Sequence, residues 1–439
     1  MAQRLVTYAI AHQPRRPRLP AQVIPADLPS DQWGPLLFDE PMNRKYLEKV
    51  AAKCYRPATE MFLKLADQGF CLAFGVSWSL VEQMKQWDPD LLASLRKLLS
   101  HPNVEPVGVE PYHSFLFYMD IQRFVERMAW AREQLSDLAG KPVRLTDTTE
   151  MFLSNDLYYA LAKAGYDAVM MDGRDWVMGW RQASFLYHLE PKPKVFCRHF
   201  QLSDDVGYRF SNKGWAGWPL HADTYAHWIS EAAGDLVFLG WDYETFGEHH
   251  DASTGIFDFM KALPGELTRS GVRSVTPSQA LEEIGDRSQP LPLPEFPSTW
   301  AGSGGVSFFL GNEVQQAIFQ LMHHAYNKAL LTADPNLLDL ALWLMTSDNL
   351  HTLQWWSHSG TEAEVSAYFT PQEWWALGAT GIVEQVQEVY KRFIRACDNR
   401  VEIPGAVDPP APPRRRSETK TVSAPAPKAS PRRKAAPKE

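Results

Sequence analysis

Short apolar runs typical of β-strands alternate with helical patterns over the first 285 residues of the chain. A continuous apolar run such as 236–239 indicates a strand that is buried on both faces. Apolar residues spaced three and four apart, as in 121–138, predict amphipathic helices. The candidate strands are 5–10, 72–76, 104–109, 143–145, 168–171, 194–199, 236–239 and 272–275. This alternation predicts a parallel sheet, and about seven such units favour a βα barrel, complete or incomplete.

The pattern changes after residue 285, which ends the predicted barrel domain of residues 1–285. Residues 286–303 are rich in Pro, Ser and Gly and are predicted to form a linker. Residues 304–400 carry long helical stretches without strands, which predicts a small helical bundle domain. Residues 401–439 form a basic, Pro/Ala-rich tail that cannot bury enough apolar area to offset its chain entropy, so it is predicted to be disordered.

The charge of the chain is unevenly distributed. The formal net charge is −8, and residues 405–439 hold nine basic and three acidic side chains, so residues 1–404 carry −14. Such an acidic body argues against nucleic acid as the main partner, because phosphate binding needs a cationic surface. The 16 tryptophans predict a large aromatic core, and rings left at the surface could stack on the flat faces of sugars.

The cysteines and the terminal residues favour a cytoplasmic protein. Cys54, Cys71, Cys197 and Cys397 lie far apart and lack zinc-like spacing, so reduced, mostly buried thiols are expected. The first apolar run is too short for a secretory signal and ends in His and Arg. No stretch of 18 apolar residues occurs, so no membrane span is predicted.

Polar clusters follow four of the predicted strands. They are HQP at 12–14, EPYHS at 110–114, DTTE at 147–150 and DYE at 242–244. In a βα barrel the carboxyl ends of the strands converge on one face, where catalytic residues collect. Residues more than 200 positions apart are therefore expected to meet in one pocket.

Each cluster also has a purely structural interpretation. His12 could be a satisfied buried polar group, and Glu150 could be an N-terminal acid that favours the following helix. Asp242 and Glu244 could cap a strand end through salt bridges. The pair His249 and His250 hints at a metal, but adjacent histidines rarely bind one ion and no third ligand has a matching spacing, so no metal site is predicted.

Two facing carboxylates with aromatic residues nearby are typical of glycoside hydrolysis. One carboxylate attacks the anomeric carbon while the other protonates the leaving oxygen. Repulsion between close carboxylates raises the pKa of the acid partner, which keeps it protonated near neutral pH.

Five blocks of the chain, in order, resemble glycoside hydrolase family 57, in particular its α-amylase-type branch. The blocks are HQP at 12–14, NVEPVGVEPYHS at 103–114, TDTTEMFLSND at 146–156, GWDYETFGEHH at 240–250 and LMTSDNL at 344–350. The resemblance extends from His12 to about Phe369. It implies an α/β fold, an incomplete seven-stranded (β/α)7 barrel followed by a small C-terminal helical bundle.

The resemblance also implies a retaining, α-amylase-like glycosidase that acts on α-1,4-glucans such as starch or glycogen, without a cofactor. Glu150 in the third block corresponds to the family's nucleophile and Asp242 in the fourth block to its acid/base. Further residues become candidates for sugar binding or for shaping the pocket. They are His12, Glu105, His113, Trp241, Glu244, His249 and Asp348.

Two stretches depart from the amylase branch, in the region that lines acceptor sugars. WAGSGGVSFFLGN at 300–312 lacks the charged stretch usual before LGN, and Asn349, Leu350 and His351 replace a His and a Tyr pair. These departures affect substrate preference, so a 4-α-glucanotransferase or glucan branching enzyme is an alternative function. A non-catalytic glucan-binding protein is a second alternative, but the chain retains both catalytic carboxylates, which argues against it. A metal-dependent polysaccharide deacetylase would need a His-x₃-His type of spacing that the chain lacks.

Overall fold

A ten-stranded sheet forms the centre of the protein, which a computed structural model describes over residues 3–401. The strands are, in chain order, Arg4–Ala11 (β1), Leu72–Val76 (β2), Val104–Gly108 (β3), Leu145–Thr146 (β4), Ala168–Asp172 (β5), Leu186–His188 (β6), Lys194–Arg198 (β7), Leu236–Asp242 (β8), Arg273–Ser274 (β9) and Gln289–Pro290 (β10).

Seven of these strands run parallel and close into a barrel. Their order is β8, β1, β2, β3, β4, β5 and β7, and the pair Arg198↔Phe238 joins β7 back to β8. Strands β2, β3 and β5 are buried at every position, and β2 is apolar throughout, as expected for a strand covered on both faces. The register of β1 on β8 ends at Ile10↔Asp242, so the residues that follow β1 begin beside Asp242. The predicted seven-stranded (β/α)7 barrel is confirmed.

Seven of the eight predicted strands are barrel strands, and the eighth shrinks to the two-residue β9, which pairs with β1 outside the barrel order. The sequence did not predict β6 or β10. Strand β6 lies antiparallel on β7, and β10 pairs with β6. Three and two residues are too few to carry a recognisable apolar pattern.

Helices surround the barrel and make up most of the chain after residue 304. They are, in chain order, Gly34–Leu37 (α1), Glu40–Val50 (α2), Arg56–Asp67 (α3), Trp78–Trp87 (α4), Pro89–Ser100 (α5), Leu116–Met119 (α6), Ile121–Ala139 (α7), Asn155–Lys163 (α8), Asp175–Met178 (α9), Phe200–Gly207 (α10), Ala222–Glu231 (α11), Ile256–Arg269 (α12), Pro277–Ile284 (α13), Ser307–Leu310 (α14), Glu313–Leu331 (α15), Pro335–Trp343 (α16), Asp348–His351 (α17), Thr361–Phe369 (α18) and Gly378–Asp398 (α19).

The local signals that begin these helices are of the expected kind. Thr276 and Gln279 form a capping box with Pro277 in the first turn of α13. Asn312 and Gln315 form a second capping box at α15, which packs along α19. None of the helices described between residues 3 and 401 is long and apolar enough to cross a bilayer. The four cysteines are buried and free, as predicted.

The predicted linker at 286–303 contains β10 and also Ser298, which forms a β-bridge with Leu153 in the loop after β4. Residues 3–401 belong to one compact unit. The division into barrel, linker and bundle therefore stays a prediction. The predicted tail lies outside the described residues, except for Val401.

Gly247, in the loop after β8, is expected to tolerate no side chain. Its φ is +117°, and a Cβ there would lie 2.1 Å from the carbonyl oxygen of Lys53. Gly247→Ala should therefore lower the free energy of unfolding by at least about 2 kcal/mol, measured by urea unfolding. The exposed Gly265 inside α12 is the matched control, since a Cβ there meets only the Arg269 side chain at 3.8 Å. Gly265→Ala should stabilise by about 0.5–1 kcal/mol, and equal effects would contradict the steric argument.

Candidate active site

A cavity of about 770 Å³ opens where the barrel strands end. Its walls combine residues that follow β1, β3, β4, β5 and β8 with residues of the C-terminal helices. Seven of the nine predicted site residues line it, namely His12, His113, Glu150, Asp242, Glu244, His249 and Asp348. The fold thus brings together side chains as far apart in sequence as His12 and Asp348.

Glu150 lies in the loop after β4, with its backbone in the left-handed region at a φ of +51°. Trp300 Nε1 donates a hydrogen bond to Oε2 at 2.8 Å, and the Ser347 hydroxyl donates to Oε1 at 3.2 Å. Burial raises the pKa of Glu150 to about 8, the bond from Trp300 opposes this rise, and the charge of Asp242 adds to it. Glu150 and Asp242 are therefore electrostatically coupled.

Asp242 ends β8 at the edge of the cavity. Burial raises its pKa to about 6, while the charges of Arg198 and His12 lower it and that of Asp348 raises it. The two carboxyls thus share an environment in which one proton is retained near neutral pH. Such a pair can supply an acid and an attacking base at the same time.

His12 connects the barrel to the C-terminal helices. Its Nδ1 lies 2.8 Å from the Ser77 hydroxyl and its Nε2 lies 3.0 Å from Asp348 Oδ2. Its ring stacks on that of His113, with centroids 4.1 Å apart. Burial lowers the pKa of His113 well below its usual value, so this ring is neutral. Burial opposes ionisation of Asp348, but the charge and hydrogen bond of His12 lower its pKa.

His12, His113 and Asp348 are also the described residues best grouped to hold a metal ion, with ligand atoms within 4.8 Å of one another. Two histidines that share an ion direct their ring lone pairs toward one point. The stacked rings here are inclined by only 22° with centroids 4.1 Å apart, so an ion shared by both would lie out of the plane of at least one ring. Asp348 is also engaged by His12. The geometry fits a hydrogen-bonded cluster better than a metal centre.

Glu244 and His249 form a further wall of the cavity. Glu244 accepts hydrogen bonds from the Tyr55 hydroxyl and from the backbone N–H of His12. Burial and the charge of Asp242 raise its pKa to about 8. Burial lowers the pKa of His249 to about 4, and its ring lies edge-on to Phe369. Both residues therefore present neutral polar groups near neutral pH.

Comparison with known proteins agrees with this geometry. The sequence profile described as glycosyl hydrolase family 57 matches residues 32–292, more than half of the chain. The chain belongs to glycosyl hydrolase family 57. The predicted resemblance is therefore confirmed.

Three proteins similar to this family 57 chain are named as an alpha-amylase, a branching enzyme and a 4-alpha-glucanotransferase. A Methanocaldococcus jannaschii protein with the provisional name alpha-amylase is 31% identical over 287 residues, which cover 64% of this chain and 61% of that protein. A branching enzyme from Pyrococcus horikoshii shares the fold, with a TM-score of 0.63 at 16% identity over 93% of this chain and all of that one. A 4-alpha-glucanotransferase from Thermococcus litoralis gives 0.61 at 14% identity over 88% of this chain and 60% of that one.

These similarities have different weight. The chain spans about three fifths of the length of the M. jannaschii protein and of the T. litoralis enzyme. At identities of 14% and 16%, the solved structures establish a common fold alone. The substrate and the reaction of this family 57 member therefore have to be argued from its own cavity.

Two of the predicted sugar-binding residues lie outside the cavity, and those predictions are corrected. Glu105 on β3 accepts hydrogen bonds from the backbone N–H and the hydroxyl of Ser278, at 2.8 and 2.7 Å, in the first turn of α13. Glu105 pairs with Ala73 near the amino end of β3, so it lies toward the end of the barrel opposite the cavity, where the N-terminus of α13 attracts its charge. Glu105 anchors a helix and does not face a sugar.

Trp241 is also buried away from the cavity, at 2% exposure. Its Nε1 donates to the carbonyl oxygen of Ser203 at 2.8 Å, and its ring packs edge-on against Phe246. Asp242 and Trp241 point to opposite sides of β8 because they are neighbours on a strand. The tryptophan therefore supports the strand from behind and offers no face to a sugar.

Sequence reasoning missed the residues that hold the two carboxylates. Trp300 and Ser347 contact Glu150, and Arg198 reaches the backbone just before Asp242. The sequence could have indicated Arg198, because it is a polar residue at the carboxyl end of the strand β7, and the predicted site residues were chosen by their position at or after strand ends. Trp300 lies in the segment predicted to be a linker, where no periodic pattern marks it.

Proposed function

We propose that this protein is a retaining glycoside hydrolase that acts on α-1,4-glucans, with Glu150 as nucleophile and Asp242 as acid/base. The observation that carries the proposal is the coupled pair of half-buried carboxyls on the wall of one cavity in a family 57 chain. The name of the M. jannaschii relative supports the same substrate class. A cytoplasmic location, suggested by free cysteines, stays part of the proposal.

The reaction proceeds in two displacements. A Glu150 oxygen attacks the anomeric carbon and forms an ester bond while the glycosidic C–O bond breaks and the leaving oxygen takes the proton of Asp242. The ionised Asp242 then removes a proton from water as the water oxygen attacks the same carbon. The ester bond breaks, Glu150 regains its carboxylate and Asp242 its proton, so the configuration is retained.

Transfer to an acceptor sugar instead of water is the second candidate, a 4-α-glucanotransferase or branching reaction. Tyr208 and Tyr368 line the cavity and are both exposed, so their rings could stack on an acceptor sugar. The solved glucanotransferase and branching enzyme with this fold give the alternative a precedent. Water and an acceptor sugar compete for the same ester intermediate.

Incubation with amylose and with maltooligosaccharides of one length, followed by chain-length and linkage analysis, tests the proposal. Shorter products alone support hydrolysis, and products longer than the substrate support glucanotransfer. New branch points support a branching enzyme. If a fresh product appears first as the β-anomer, or if no glucan changes, the retaining mechanism or the substrate class is wrong.

The rate is expected to depend on pH as a bell. The apparent pKa values of about 6 and about 8 belong to the coupled pair of Asp242 and Glu150. Below about pH 6 both carboxyls are protonated and the nucleophile is lost, while above about pH 8 both are ionised and the acid is lost. We therefore expect kcat/KM on maltooligosaccharides to be highest between these values. A rate that stayed flat from pH 5 to 9 would contradict this assignment of the pair.

A further inference from the structure

The backbone around Glu150 needs an external support. Glu150 and the next residue, Met151, both have positive φ, at +51° and +52°. Two consecutive residues with side chains in the left-handed region are unfavourable and persist only where surrounding contacts impose them. The loop that carries the nucleophile therefore depends on what packs against it.

The segment Ser298–Trp300 supplies that support. Ser298 and Leu153 exchange two backbone hydrogen bonds, at 2.9 and 3.0 Å, as in an antiparallel ladder. The Thr299 hydroxyl donates to the carbonyl oxygen of Glu150 at 2.5 Å. Trp300 Nε1 then donates to the Glu150 carboxylate at 2.8 Å. The loop and the carboxylate are thus held by one three-residue segment.

A buried ion cluster of Asp172, Arg174, Arg198 and Asp204 holds Trp300 in turn. Arg174 Nη2 donates to the carbonyl oxygen of Trp300 at 2.7 Å, and its Nε donates to Asp172 at 2.5 Å. Arg198 donates to Asp172 at 3.0 Å and to Asp204 at 2.6 Å. Two cations and two anions compensate each other, which makes the burial of Asp172 at 0% exposure tolerable.

The same cluster reaches the second carboxylate. Arg198 Nε donates to the carbonyl oxygen of Gly240 at 2.9 Å, two residues before Asp242 on β8. The Arg198 guanidinium also lies 5.7 Å from the centre of the Trp300 ring. A continuous set of contacts therefore connects the loop of Glu150 with the strand end of Asp242.

We propose that Trp300 is a positioning residue for Glu150, and that the buried ion cluster fixes Trp300 relative to the strand that carries Asp242. This proposal rests on the proposed function, because it assigns Glu150 and Asp242 to one reaction. It gives the segment after the barrel a role in setting the distance and orientation between the two carboxylates.

Trp300→Phe tests this directly, because it keeps an aromatic ring, although a smaller one, and removes the N–H donor. We expect kcat on maltooligosaccharides to fall about tenfold to a hundredfold, as for one lost hydrogen bond to a charged acceptor, with a much smaller change in KM. Without that donor the ionised form of Glu150 is less stable, so the acidic limb of the pH profile should move to higher pH. A merely structural defect would not move this limb.

The chain offers a matched control in Trp356, whose Nε1 donates to Glu313 Oε1 at 2.7 Å outside the cavity. Trp356→Phe removes the same kind of bond and should leave kcat and the pH profile unchanged. Arg174→Gln is the second variant, should Trp300→Phe not fold. It breaks the contact with the Trp300 carbonyl and should shift kcat and the acidic limb in the same directions.

Two results would overturn the proposal. Trp300→Phe could keep its kcat and acidic limb, or it could change KM alone, which would make Trp300 a sugar-binding residue. If the wild-type protein turns over no glucan, the proposed function fails instead. The contact between Trp300 and Glu150 is then measured by NMR, from the resonance of the Glu150 carboxyl carbon, which is assigned by its absence in Glu150→Gln. Its titration midpoint should rise in Trp300→Phe, and an unchanged midpoint would refute the contact.

Discussion

Replacing Glu150 with Gln is expected to lower kcat on α-glucans by several orders of magnitude, because the amide cannot form the glycosyl ester. Both carboxylate oxygens of Glu150 accept a hydrogen bond, Oε2 from Trp300 and Oε1 from Ser347. Rates on amylose and on maltooligosaccharides measure the effect. With Glu150→Ala, added azide should fill the vacated space, attack the anomeric carbon and restore turnover, giving a glycosyl azide of inverted configuration.

The folded state provides an independent check on this substitution. Burial raises the pKa of Glu150 from 4.5 to about 8, so the folded protein keeps a proton that the unfolded chain releases. The wild type should therefore lose stability as the pH rises from about 4.5 to about 8, and Gln does not titrate. Thermal unfolding at several pH values should show that the unfolding temperature of the variant rises relative to that of the wild type as the pH increases across this window. A variant that is inactive and also less stable at pH 8 would indicate misfolding.

Glu313→Gln is the matched control, because it makes the same substitution at a carboxylate outside the cavity. Glu313 also accepts a hydrogen bond from a tryptophan N–H, that of Trp356, but it does not line the cavity. Its substitution should leave kcat unchanged. Near-wild-type turnover in Glu150→Gln itself would remove Glu150 from the role of nucleophile.

The sequence predicted the barrel well because most barrel strands carry their own apolar signal. Strand β2, for example, is apolar along its whole length and buried at every position. The same rule explains why the polar groups after the strands, such as His12 and Asp242, proved to share one cavity. Residue type and position at a strand end were enough to collect most of the site.

Position within the strand explains the two corrected predictions. Both residues belong to blocks that resemble the family, but Trp241 points away from the barrel interior, and Glu105 lies near the amino end of β3, far from the carboxyl end where the cavity opens. Resemblance identifies a block, whereas the register of the strand decides which of its residues faces the cavity. Asp242 was expected to face the cavity, and neighbouring residues of a strand point to opposite faces. Applying this rule to β8 would have excluded Trp241.

Contacts between distant segments are what the sequence could not predict. Ser298 pairs with Leu153 across 145 positions, and nothing in the Pro- and Ser-rich segment around Ser298 marks it as a partner of the nucleophile loop. The ion cluster has the same origin, because Asp172 and Arg198 meet only where β5 and β7 pair. Local hydrophobic patterns indicate which residues are buried and whether a segment is a helix or a strand. They do not indicate which distant segment of the chain packs against it.

Asp242→Asn is expected to separate the two displacements. Poor leaving groups such as a sugar hydroxyl need the proton of Asp242, so hydrolysis of maltooligosaccharides should fall by several orders of magnitude. A glycosyl fluoride or nitrophenyl glycoside needs little protonation and should still esterify Glu150. The ester should then accumulate, since no base activates water, and a burst of released leaving group should precede a slow steady state.

The pH profile and a matched variant complete the argument. With the neighbouring charge removed, ionisation of Glu150 alone should govern reaction with the activated substrate, so the basic limb should disappear and the rate should rise to a plateau. Asp251→Asn, at an exposed position in the same loop, should keep the bell and show no burst. If Asp242→Asn slows activated and natural substrates equally without a burst, the acid/base is another carboxyl. Glu244 is then the next residue to substitute, because it lines the cavity with a pKa raised to about 8, whereas Glu248 is engaged by Lys49.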